Sequence, residues 1–153
     1  MEYQVKVVPS ELLMEPLLGL MEESEYVPLV ISGGSMTPFL SDGRDTVYLS
    51  RIRRELKRGD IVLYQRETGG YVLHRILRVD KDSYTMIGDA QIHPEPGICR
   101  EQILAIVTAV RRKDKLLQNG SFWWFFFEKI WIRMVPARPA VRKMYTIIRR
   151  RMQ

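Results

Sequence analysis

The sequence predicts a mainly β domain with an N-terminal helix and a helical, basic C-terminal tail. Three observations carry this reading. Apolar runs that alternate with polar residues, clearest in Tyr71 to Val79, are punctuated by Gly, Asp and Pro turn signals. Ahead of them, residues 11–23 place apolar side chains at helical spacing, and beyond residue 112 the composition turns to aromatics and arginines. A chain of 153 residues has room for one core. It divides into an N-terminal helical segment (1–26), a sheet body (27–112) and the tail (113–153).

The formal charge of +6 favours an acidic partner surface, anionic lipid or nucleic acid, without choosing between them. A lone Cys99 excludes an internal disulfide and fits a reducing compartment. No zinc-type cluster is present, and no metal or cofactor is expected.

Met1 to Val8 lack the basic-then-apolar build of a secretion signal. From Ser10, read as an N-cap, Glu11 to Glu23 forms an amphipathic helix that turns Leu12, Leu13, Leu17, Leu20 and Met21 to the core. Pro16 predicts a kink in it or a later start. This segment is too short to span a bilayer. Strands are expected over Val27 to Ile31, Thr46 to Ser50, Ile61 to Gln65, Tyr71 to Val79, Tyr84 to Ile87 and Ile103 to Val110, with a hairpin through Glu67-Thr68-Gly69-Gly70. Arg51 to Arg58 reads as a solvated connector, Asp60 as a structural acceptor for loop amides, and Gln91 to Gly97 as a proline-punctuated loop.

The candidate chemistry lies in three of these stretches. Ser32-Gly33-Gly34-Ser35-Met36-Thr37-Pro38-Phe39 breaks the first strand into a tight turn, where the glycines permit close approach to the main chain and Ser35 displays a hydroxyl. A serine nucleophile needs a base. The chain has two histidines: His74 near the middle of a strand, and His93 on an irregular loop, the weaker candidate. Ile87-Gly88-Asp89 leaves a carboxylate at a strand end, so Ser35, His74 and Asp89 would complete a triad.

These residues carry a resemblance. Gly34-Ser35-Met36-Thr37-Pro38, Leu56 to Tyr64, Leu73-His74-Arg75-Ile76, Ile87-Gly88-Asp89 and Gln102 to Val107 resemble, in order and spacing, the S24/S26 serine peptidase superfamily, specifically its signal peptidase I branch, over roughly residues 27 to 110. His74-Arg75 matches the histidine type found in archaea and the endoplasmic reticulum, whereas bacterial signal peptidases and LexA-like repressors use lysine. The resemblance implies a coiled or partly closed antiparallel sheet, a serine endopeptidase acting through Ser35 as nucleophile and His74 as general base, and Asp89 as acidic partner. In that family a second acid often follows the Gly-Asp motif, and Glu95 is the nearest match. An oxyanion hole is expected from the Ser35 amide with Gly34 and Ser32, since Gly33 stands where signal peptidases usually carry a serine. The chain also departs from signal peptidases in lacking a spanning anchor before the serine motif. A LexA-like self-cleaving regulator fits poorly, with no Ala-Gly pair and no helix-turn-helix. A non-catalytic binding module on the same fold is the alternative from another class.

Phe122 to Phe127 is a block of six aromatics, followed by Arg138, Arg142, Lys143, Arg149, Arg150 and Arg151. Two readings stay open: an interfacial helix on anionic lipid, or aromatics packed on the sheet with solvated arginines. The expected partners are a peptide or protein substrate and an anionic membrane touched peripherally, not nucleic acid. With no secretion signal or transmembrane segment read, a cytoplasmic place is expected.

Overall fold

The computed structural model describes residues 10–152. Helix α1 spans Ser10–Glu23 and is followed by eight strands: β1 (Val27–Val30), β2 (Thr46–Ser50), β3 (Ile61–Gln65), β4 (Tyr71–Val79), β5 (Tyr84–Ile87), β6 (Glu95–Ile98), β7 (Ile103–Arg112) and β8 (Lys115–Gln118). They form one antiparallel sheet in the order β1-β2-β7-β3-β4-β5-β6, with β8 paired to β7. Among the described residues no pairing joins β6 back to β1, so the sheet is open rather than partly closed.

Pairing register assigns the side chains of the central hairpin to two faces. Ile61↔Arg75 and Leu63↔Leu73 share one face, and Val62↔His74 and Tyr64↔Val72 share the other. The first face packs Ile61, Leu63, Val47, Leu49, Ala105 and Val107 against α1 and the serine turn. The second packs Val62, Tyr64, Ile76, Met86, Ile98, Ile103 and Ile106 under the 52–56 connector. Both faces of β3 are therefore covered, which is why its run reads as continuous rather than alternating.

Several expectations shift. Helix α1 buries Met14, Leu17 and Met21, whereas Leu12 and Leu20 are exposed: Leu17 and Met21 face the core as expected, and the stripe as a whole is rotated by about a fifth of a turn from the one expected. It runs through Pro16, which faces solvent, and Arg51 closes its C-terminal end by donating to the Met21 and Glu22 carbonyls. That arginine is thus a cap rather than a solvated charge. The expected loop at 91–97 contains the start of β6, held against β5. Past residue 112 the sheet continues, because Lys113 and Asp114 take positive φ and turn the chain into β8. The expected reading of Met1 to Val8 lies outside the described residues.

The tail begins with α2 (Phe122–Phe125), continues through short helical turns over 126–137, and ends in α3 (Arg138–Arg151). It is divided between the two roles expected for it. Phe127 and Trp131 enter the first core, while Phe122, Trp123 and Phe125 are exposed. Gly59 makes that docking feasible: its φ is +96° and a Cβ there would lie 2.6 Å from the Glu128 Cγ.

Candidate functional site

Ser35 is positioned through its backbone. Its carbonyl accepts from the Ala90 N–H at 2.9 Å, and a Cβ on Gly88 would approach the same oxygen to 2.4 Å. Only glycine at 88 lets the β5 end lie this close to the serine turn. The turn is further fixed by Gly33 N–H donating to Asp42 Oδ1 and by Thr37 Oγ1 donating to the Gly34 carbonyl. Gly33 N–H is thereby spent and cannot serve an oxyanion.

Ser32, Ser35 and Met36 line a cavity of about 130 Å³ with Tyr71, Val72 and Leu73 of β4. Pairing of β4 to β5 starts only at Arg75, so among the described residues the 71–74 stretch has a sheet partner on one side alone, in β3. Ile76 exchanges main-chain bonds with Asp60 and Gly59 on the β3 side, so by alternation Tyr71 and Leu73 direct their N–H and C=O toward the open side. The serine turn therefore meets a free strand edge. A larger cleft, about 850 Å³, lies between the 52–56 connector and the β4–β5 turn and includes neither Ser35 nor His74.

Asp89 is where a triad reading departs from the geometry. Both its oxygens accept from Arg75, Nε to Oδ1 and Nη2 to Oδ2 at 2.9 Å each, and the pair is almost fully buried. Arg75 also donates to the Gly59 carbonyl and stacks over Phe39 at 5.4 Å. Among the described residues no hydrogen bond joins Asp89 to His74, nor Ser35 to His74. The reason is strand alternation: His74 and Arg75 are successive residues, and Asp89 lies on the Arg75 side.

On its own face His74 is buried, and its Nδ1 stands 3.2 Å from the Tyr64 hydroxyl. That hydroxyl donates to Glu95 Oε2 at 2.8 Å, and Arg66 grips both Glu95 oxygens. Arg66 holds the Glu95 carboxyl below its ordinary range, so Glu95 only accepts. Tyr64 has a single proton and gives it to Glu95; its oxygen then accepts from His74 Nδ1–H. The Nε2 atom is left with its lone pair. Burial pushes the His74 pKa down to about 4, against the opposing pull of Glu95, so the imidazole is neutral at pH 7. His93 is exposed, and Asp60 accepts from Arg54 and the Lys57 amide.

Two tail residues brace the site. Trp131 Nε1 donates to the Asp89 carbonyl at 2.8 Å, and buried Arg138 donates to the carbonyls of Gly88, Gln91 and Trp131 while stacking on the Trp131 ring. Arg138 is thus not one of the solvated tail cations. Sequence reasoning missed Tyr64, Arg66, Trp131 and Arg138. For Tyr64 a signal existed, a hydroxyl in the apolar run Ile61 to Tyr64 at a position even-spaced with His74 across the hairpin. No family model, curated protein or solved structure matches the chain.

Proposed function

We propose that the protein is a serine endopeptidase of the signal-peptidase type, with a sheet of the signal peptidase/LexA-like kind, forming an acyl-enzyme on Ser35 with His74 as general base. The observation that carries this is the convergence of three separate sequence stretches: the Ser35 turn docks by main-chain contact on Gly88 and Ala90, at the open edge of the strand that bears a neutral His74. An extended substrate pairs with the outward N–H and C=O groups of Tyr71 and Leu73, which presents its carbonyl to Ser35. His74 Nε2 takes the Ser35 proton as Oγ attacks, then returns it to the leaving amine, and water repeats the sequence on the ester. Glu95, acting through Tyr64, balances the imidazolium, while Asp89 holds Arg75 and the serine turn in place. The Ser35 amide, with Ser32 beside it, receives the oxyanion.

A non-catalytic binding module is the second reading, favoured by the lack of a Ser35–His74 hydrogen bond among the described residues and by the packing of the serine turn on the sheet face opposite to His74, which leaves the free 71–74 edge as the place where the two would meet. A fluorophosphonate probe separates the two. Mass spectrometry should find the adduct on Ser35 in the wild type and none in Ser35→Ala or His74→Ala, both folded. An unlabelled wild type would favour the module.

A further inference from the structure

We propose that α3 is a docking surface for an anionic lipid bilayer, lying along the headgroup boundary with one apolar stripe inserted. The helix leaves the body after Val141, which touches the first core; every residue from 142 to 152 is exposed. Within that stretch Met144 (57% exposed), Tyr145 (66%), Ile148 (48%) and Met152 (79%) continue from Val141 at spacings of three and four, one continuous stripe. Arg142 and Arg149 border it on one side and Arg151 on the other, where their stems can lie along apolar surface with guanidinium groups at phosphate level. Four exposed apolar side chains in a row are costly to leave in water.

The charge on this segment names the occupant. From Lys129 to Gln153 the sequence has eight cations and no Asp or Glu. A second copy of α3 laid along the stripe would set arginine rows beside arginine rows, which disfavours self-pairing. RNA would satisfy the cations and leave the stripe uncovered. An anionic bilayer satisfies both, with each cation near the surface adding about fivefold to binding. None of the described helices is long and apolar enough to cross a membrane, so the helix lies on the surface. Exposed Phe122, Trp123 and Phe125 add headgroup-level aromatics. Through Arg138, the first residue of α3, the docked helix is tied to the Gly88 and Gln91 carbonyls, so lipid binding holds the whole body. Nothing in this proposal depends on peptidase activity.

The test is flotation of the purified full chain with phosphatidylcholine vesicles and with phosphatidylcholine–phosphatidylglycerol vesicles, at low and high salt. The wild type should float with the anionic vesicles, and binding should fall by about tenfold or more in the Met144→Glu/Ile148→Glu variant. It should fall as well in Arg142→Gln/Arg149→Gln and with added salt. Both variants alter exposed residues and should keep the wild-type urea midpoint. No flotation, or equal and salt-insensitive flotation with both vesicle types, overturns the proposal. So does failure to float together with concentration-dependent self-association lost in Met144→Glu/Ile148→Glu, which would make a second copy the occupant. Retention on a polyuridylate probe without flotation would give the surface to nucleic acid.

Discussion

His74 and Arg75 are neighbours on β4, yet they face opposite sides of the sheet, and the two sides treat charge in opposite ways. Around Arg75 the protein buries a full charge and satisfies it: Asp89 takes both arms, the Gly59 carbonyl a third donor, and Phe39 the ring face. Around His74 burial acts without a direct counter-charge, so the group stays neutral; Glu95 is one hydroxyl away, and Asp89 adds a weaker pull. The first arrangement fixes a backbone. The second keeps a lone pair available. The difference places Asp89 in the bracing of Arg75 and, on the proposed mechanism, would give the support of His74 to Glu95 rather than to Asp89.

The largest effect separates those two carboxylates. Asp89→Asn leaves Arg75 buried beside a neutral amide and should cost about 3–5 kcal/mol in urea unfolding. Glu95→Gln breaks a half-exposed pair with Arg66 and should cost less than about 1 kcal/mol while lowering turnover. Equal losses in the two variants would erase the contrast.

Acid probes His74 from the stability side. Its pKa is lower folded, about 4, than in an unfolded chain, about 6.5, so the unfolded state binds the proton first as pH falls. The stability tied to neutral His74 is complete above pH 6.5 and should drain away by on the order of 3 kcal/mol toward pH 4. A His74→Phe variant should lack this part of the pH slope; an unchanged slope would place the titration elsewhere.

A smaller effect tests the clamp between the sides. Gly88→Ala puts a methyl into the Ser35 carbonyl and should cost about 1–3 kcal/mol, with a larger proportional loss of peptide cleavage, because the serine turn is what must move. Cleavage at the wild-type rate would mean that the turn tolerates displacement.

Much of this was legible in the sequence. The bounds of the four strands from Thr46 to Ile87 and the helical character of both ends follow from periodicity and turn residues, because each is a local property. Strand β8 was not, since its turn uses Lys113 and Asp114 at positive φ instead of the glycine that would have marked it. The site was legible in parts. Ser35 next to Gly88-Asp89 came from motif order, but a linear triad pattern does not register that Arg75 outcompetes His74 for Asp89, which only strand alternation settles. Trp131 and Arg138 could not be read at all: a tryptophan and an arginine in an aromatic, basic tail carry no local sign that they reach back about forty to fifty residues to the Gly88–Gln91 carbonyls.

The pH dependence of Ser35 acylation by a fluorophosphonate tests most directly the idea that a neutral, Tyr64-supported His74 activates the serine. The second-order rate should hold from neutral pH down past 6 and fall with a midpoint near pH 4, and it should vanish in His74→Ala. A midpoint near 6.5, or acylation that persists without His74, would contradict it.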